Sequence, residues 1–395
     1  MMHRRAVSRW SLCRAVLALV GAWSVMSAGE VAVLSGDGVA LHGAATSDGR
    51  TLTVGGMAVA LERVVAARFA VAAATVDQGV VLADGDVLAG VIVSMQNGQL
   101  ELASDRFGRR SLPLAAVSAL MLAPQTITDL VHVSDEPAGA RFLNGDRLGG
   151  SLTFLNPAAA GINNGKRIIE LPRDRLALIR TAAAASPAPV DAAAAHASLQ
   201  RVRLVTGERV SGTLLKLDAS TLKLKHAVLG ELVLPVALVA TVWSEGGALS
   251  ALTALPATVK QAGFLGPAAT PRANGAGNDG PLMGPGGSAE LVLRVHARSE
   301  LTYTLDGGSD LLVGEVALDA RGVGRGDAVV RVLGDGKTLV EIALADGAVH
   351  LLNVPLTGVH QLTLVTDVGP DGTTTGDLVT WSWPVLVRGA PTAAR

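Results

Sequence analysis

The chain has 395 residues, a formal net charge of −1 and one cysteine. That length suits about two to four domains, and 49% apolar residues give ample material for buried cores. Aromatic residues are only 3%, which weakens any recognition mode built on stacking platforms, and the near-neutral balance excludes a strongly basic nucleic-acid binder.

At the start, Arg4, Arg5, Arg9 and Arg14 accompany an apolar run from Ala15 to Met26, with small residues following at Ser27 and Ala28. A basic start, a short apolar run and small residues predict a secretory signal over residues 1–28, with an uncleaved anchor as the alternative. Cleavage removes the only cysteine, Cys13. A disulfide scaffold, a thiolate metal site and a cysteine nucleophile are then all excluded. It also leaves a formal charge of about −5, because the first 28 residues hold four arginines and no acid. The expected address is secreted, periplasmic or the bacterial cell envelope, with no transmembrane segment after signal removal. Nucleic acid is not an expected partner.

Next comes a repeat. Gly-x-x-apolar-x-Gly recurs at Gly38/Gly43, Gly85/Gly90, Gly145/Gly150 and Gly207/Gly212. A second landmark follows each time in constant register: Leu61-Glu62, Leu112-Pro113, Leu171-Pro172 and Leu234-Pro235. Each unit reads as a meander of short strands, with the first glycine at a hairpin turn and the second at a sharp bend or close backbone approach. Four small β-barrel repeats are predicted, at 29–75, 76–125, 130–181 and 199–246. The opening Val81-Leu82-Ala83-Asp84-Gly85-Asp86-Val87-Leu88-Ala89-Gly90 resembles the first half of an Sm-like barrel, which implies an SH3/Sm-like fold. RNA binding does not follow, because basic and aromatic residues are not interleaved. The cluster Arg201, Arg203, Lys216, Lys223 and Lys225 reads as a solvated strand face. Residues 182–198, almost wholly Ala, Pro and Ser, read as a linker. The glycine- and proline-rich stretch 267–288 reads as a second linker or as a long loop.

The last third is rich in strands. Leu301-Thr302-Tyr303-Thr304-Leu305 alternates with period two, and Asp335-Gly336 joins two β-rich runs as a hairpin turn. Gln361 to Val365 and Leu378 to Trp383 are further strands, with an Asp/Gly/Thr loop from Asp367 to Asp377 between them. Four blocks, His296 to Leu301, Val330 to Lys337, Leu362 to Asp367 and Gly376 to Trp381, resemble the NPCBM family in order and spacing. That resemblance covers about 247–390 and implies a galactose-binding-like β-sandwich (jelly roll) in a secreted bacterial protein, with carbohydrate binding as the associated activity. The chain departs from the family around the tryptophan. Leu378 and Thr380 stand where a histidine and an acid are usual, and Ser382 and Trp383 where a small residue and an acid are usual.

Enzyme signatures are missing from the sequence. It has no Gly-x-Ser-x-Gly elbow, no His-Glu-x-x-His and no phosphate loop, and Gly322-Val323-Gly324-Arg325-Gly326 lacks a strand-loop-helix setting. Arg325-Gly326-Asp327 reads as a surface loop and not as an adhesion motif. His296 is either a sugar-bonding residue or a satisfied structural one. Trp381 and Trp383 lie on one strand face, where each is either core or an apolar plane for a pyranose. Asp367, Asp371 and Asp377 offer oxygen ligands for a hard cation, but turn formation explains them equally and their spacing fits no defined calcium loop. The candidate carbohydrate-binding set is His296, Arg298, Asp367, Asp371, Asp377, Trp381 and Trp383, with no catalytic residue, no metal site and no cofactor. The overall expectation is an all-β, non-catalytic binding protein whose partner is a cell-wall or extracellular glycan. A structural protein binding other envelope proteins is the alternative.

Overall fold

The computed structural model describes residues 30–73, 75–126, 130, 136–181, 198–261, 272–273, 283–284, 287–288 and 290–389. The expected signal, residues 182–197 of the linker and most of the stretch 267–288 lie outside them. The described chain is all-β, with strands joined by tight turns and short 3-10 turns. No helix among the described residues is long and apolar enough to cross a membrane.

One five-strand unit occurs four times. In the second copy, Gly79–Leu82 turns through Asp84-Gly85 into Val87–Ala89, bends at Gly90 and continues as Val91–Gln96. Gln99–Ser104 and Gly108–Pro113 complete a meander. A 3-10 turn at Leu114–Ala116 then reverses the chain, and Val117–Met121 pairs back onto the first strand, Leu120 opposite Val80. The same order recurs within residues 31–68, 139–180 and 199–245.

The landmark glycines have two separate jobs. Gly38, Gly85, Gly145 and Gly207 all have positive φ, between +71° and +96°, as hairpin turns require. At the second position the shared constraint is space, and Gly43 and Gly150 have positive φ as well. A Cβ on Gly90 would lie 2.6 Å from the Ala103 carbonyl oxygen, and one on Gly212 would lie 2.3 Å from that of Lys225.

The expectation of four separate barrels needs correction, because no barrel closes. Within each unit the fourth and fifth strands are not paired among the described residues. The open fifth strand instead pairs with the fifth strand of another unit. Val64–Arg68 of unit 1 lies antiparallel to Val239–Glu245 of unit 4, with Ala67 opposite Val242. Val117–Met121 of unit 2 does the same with Leu176–Arg180 of unit 3, Leu120 opposite Ile179. On the opposite layer the far halves of the second strands also meet, Ser47 with Leu217 and Met95 with Leu155. Units 2 and 3 thus share a six-stranded sheet from Gly108–Pro113 across to Ile168–Pro172.

Physically, a lone open barrel of Val and Ala exposes a strand edge and closes a thin core. Pairing satisfies the edge and merges the cores. Ile92, Leu100, Leu102, Leu155, Ile162, Leu120 and Ile179 belong to one buried cluster, which also takes in Leu214, Leu222 and Leu224 of unit 4. Each such side chain contributes about 1.5–3 kcal/mol on burial.

The C-terminal part is a two-sheet sandwich. One sheet runs Arg272–Ala273, Val292–His296, Leu378–Val387, Leu311–Leu318, His350–Pro355, with Leu249–Ala251 also on Leu378–Val387. The other runs Thr258–Gln261, Ser299–Thr304, Gln361–Val368, Ala328–Gly334, Lys337–Leu344. The Asp335-Gly336 hairpin is as expected, both residues at positive φ. Between the sheets lie Leu301, Tyr303, Val316, Val330, Leu364 and Trp381.

A separate apolar cluster joins this sandwich to units 1 and 4. Leu34, Val65, Ala66 and Trp243 pack there against Leu249, Leu291, Val313, Trp383 and Val385.

Candidate functional site

The first residues to place are those of the strand ends. His296 closes Val292–His296, and the turn through Ala297 and Arg298, with Arg298 at φ +62°, leads into Ser299–Thr304. The Ala297 amide donates to the Asp377 carbonyl at 2.9 Å, and His296 stands opposite Leu378 in the sheet. The fold therefore brings His296 and Arg298 beside the loop that ends at Asp377, a proximity that sequence could not provide.

Asp371 and Asp377 converge on a third carboxylate that the sequence reading dismissed, Asp327. One carboxylate oxygen from each lies within 4.8 Å of those of the other two. The Asp327 amide donates to Asp377 Oδ1 at 3.0 Å, and the Asp371 amide donates to Asp327 Oδ2 at 3.3 Å. Asp327 Oδ1 and Asp377 Oδ2 are buried with no hydrogen-bond partner. Burial pushes the Asp377 carboxyl up to about 6; the hydrogen bond from Asp327 opposes this, and repulsion from Asp371 and Asp327 adds to it. Three oxygen donors with two unsatisfied atoms suit a hard cation. The nearest signal in the sequence was an aspartate directly after a glycine-rich loop. That loop packs backbone to backbone on Asp377's neighbour, since a Cβ on Gly326 would lie 2.3 Å from the Gly376 carbonyl carbon.

Asp367 does not join this group. It lies in the strand Gln361–Val368, not in the loop, and its carboxylate is 3.6 Å from Arg331, which also bonds Glu341 at 2.5 Å.

The two tryptophans are buried and present no face to solvent. Trp381 is 0% exposed and part of the sandwich core. Trp383 is 1% exposed and belongs to the junction with the repeats. Its ring meets Trp243 edge-on at 5.7 Å and 64°, and the Arg68 guanidinium lies 5.9 Å from its centroid. At φ +53° the Trp383 backbone adopts a conformation that bulky residues rarely take. A bulge opposite it, between Val313 and Glu315, accommodates that kink. The family departure at Trp383 thus marks a docking surface between parts of this chain.

A second group, Asp84, Asp86 and His226, also brings ligand-type atoms together. Its hydrogen bonds explain it as a lock between units 2 and 4. His226 Nδ1 accepts the amides of Val228 and Leu229, so Nε2 carries the proton and donates to Asp86 Oδ2 at 3.0 Å. Ser211 gives the same oxygen its amide and hydroxyl, at 2.6 and 2.8 Å. A protonated Nε2 is not a metal ligand.

No curated protein matches the chain. Among solved structures, it is similar to the CBM51 of a Clostridium perfringens GH95 in complex with methyl-galactose (21% identity, 35% of this chain and 99% of that one, TM-score 0.31). It is also similar to tandem CBM51 modules of Sp3GH98 from Streptococcus pneumoniae (10% identity, 79% and 88%, TM-score 0.31). A third likeness is to CBM51-2 and INT domains of Clostridium perfringens ZmpB in complex with GlcNAc (17% identity, TM-score 0.31). That one covers 42% of this chain and 36% of the solved CBM51-2 and INT chain. At the level of families, residues 250–387 match the NPCBM/NEW2 domain, and this stretch coincides with the two-sheet sandwich.

Proposed function

We propose that the chain is an exported, non-catalytic protein that binds a glycan through its C-terminal module, residues 247–390, with the four repeats as a rigid base. The observation that carries this reading is the NPCBM/NEW2 match over 250–387. The loop edge gives it chemical support, because the turn carrying His296 and Arg298 is bonded to Asp377, whose carboxylate converges with that of Asp371, and these residue types offer donors and acceptors for hydroxyl groups. In this reading residues 1–28 direct export, the surroundings are the bacterial cell envelope or the exterior, and the base spans about 29–246.

The test is a glycan array probed with the full chain, followed by His296→Ala and Arg298→Ala on any sugar retained. Retention weakened at least tenfold by either change supports the reading. No retained sugar, or retention indifferent to both changes, removes it.

A second reading has an observation of its own. Tyr303, Trp381 and Trp383 are all within 1% of full burial, so the described part of the module exposes no tryptophan, tyrosine or phenylalanine ring on which a pyranose could lie. That favours a structural or protein-binding role with no sugar ligand. An empty array together with a specific envelope-protein partner in cross-linking is the result this alternative expects.

A further inference from the structure

The first hairpin turn is an equivalent position in all four units, and in three of them another part of the chain covers it. At Gly38 of unit 1 a Cβ would lie 2.4 Å from Asn353 Cγ of the sandwich. In unit 2 the Gly85 carbonyl accepts Arg209 Nε of unit 4 at 3.2 Å. At Gly207 of unit 4 a Cβ would lie 2.9 Å from the Thr75 carbonyl oxygen, in the connector between units 1 and 2. Unit 3 differs. A Cβ on Gly145 would meet nothing within 4 Å among the described residues, and Leu143 in the same turn is 60% exposed. We propose that this open turn of unit 3 binds unit 3 of a second copy of the chain, forming a symmetric dimer.

The precedent lies within the chain. Units 2 and 4 meet second strand to second strand, Val87 opposite Arg209, each two residues past its turn glycine. The contact is reciprocal, because the acid after each turn glycine reaches the loop after the third strand of the other unit. Asp86 of unit 2 meets His226 Nε2 at 3.0 Å, and Glu208 of unit 4 meets Arg106 at 3.0 Å. Ser104 caps that loop in unit 2 as His226 caps it in unit 4, each accepting the amides two and three residues on.

Unit 3 carries both halves of this contact on its surface. Asp146 follows Gly145 as Asp86 follows Gly85, and it is exposed. The loop after the third strand is capped by Asn164, which accepts the amides of Lys166 and Arg167, both at 3.0 Å. Lys166 lies two residues past its cap, as Arg106 does, and it too is exposed. A two-fold axis therefore sets Asp146 of each copy against Lys166 of the other, an acid on a base twice over. Arg147 stands in the place of Arg209, and Glu136 already neutralises it at 3.0 Å, so the axis brings no unpaired like charges together. One turn and one loop per copy make a contact at the small end of specific interfaces, which calls for high protein concentration.

Sedimentation velocity of the full chain over a concentration series tests this. The parent should dimerise. Asp146→Lys and Lys166→Asp should each weaken dimerisation at least tenfold and leave the melting curve unchanged, since both positions are exposed. An equimolar mixture of the two variants should regain the dimer, because each contact then joins an acid to a base again. A parent that stays monomeric up to ~1 mM, a dimer equally strong in both variants, or a mixture no stronger than its components overturns the proposal.

Discussion

Arg68 of unit 1 holds Glu315 of the sandwich through two hydrogen bonds, Nη1 to Oε1 at 3.1 Å and Nη2 to Oε2 at 2.8 Å. Glu315 is 1% exposed, and the same guanidinium lies over Trp383. A planar fork meeting a planar carboxylate over an indole face is geometry that lysine cannot reproduce. Arg68→Ala leaves a buried charge without its partner and should destabilise by about 3–5 kcal/mol. Arg68→Met paired with Glu315→Gln should lose much less. A double-mutant cycle by urea unfolding measures the coupling, and additive losses would show that the pair does not couple.

Trp383→Ala should destabilise the full chain by about 3–5 kcal/mol, the usual cost of emptying a buried aromatic site. The loss should appear at the junction, as faster proteolysis between the repeats and the sandwich. An unchanged melting curve would contradict the burial of this ring between Trp243 and Arg68.

Asp377 gives a pH dependence of definite sign. Its folded value, about 6, lies above the ordinary aspartate value of 3.8, so the folded state binds the extra proton. Stability is therefore lost as pH rises from about 4 to 6 and stays lost above that. Asp377→Asn keeps an acceptor for the Asp327 amide and removes the charge. It should raise the melting temperature at pH 7.5 and have little effect at pH 4. A variant less stable than the parent at pH 7.5 would show that the charge is compensated.

Compensation by a cation is a separate measurement. If the Asp327, Asp371 and Asp377 oxygens hold calcium, millimolar calcium should raise the melting temperature of the parent by several degrees, since binding to the folded state alone stabilises by mass action. Asp377→Asn should blunt the rise. Equal melting temperatures in calcium and in chelator would assign these aspartates to turn formation alone.

Gly212→Ala should destabilise by about 1–3 kcal/mol, because the new methyl would lie 2.3 Å from the Lys225 carbonyl on the neighbouring strand. Gly85→Ala probes the other landmark, where the obstacle is a φ of +86°. Thermal melts of the two variants separate a spatial requirement from a conformational one.

Local physics was legible in the residues themselves. Alternation and Asp-Gly chemistry determined the strands and the hairpin at Asp335-Gly336, and the two glycine landmarks fixed a turn and a close backbone approach in each unit. These features depend on neighbours only a few positions apart. Burial and partnership were decided over long range. Whether Trp383 faced a sugar or Trp243 depended on a surface contributed by residues more than a hundred positions away. The same holds for the open fifth strands: each could have closed its own barrel or paired with a second unit. Asp327 joined Asp371 and Asp377 only because glycine backbones let two loops touch. A sequence specifies which edges and carboxylates are available. Only the packed chain settles which of them meet, because burying an edge or a charge is favourable only when its partner is already in place.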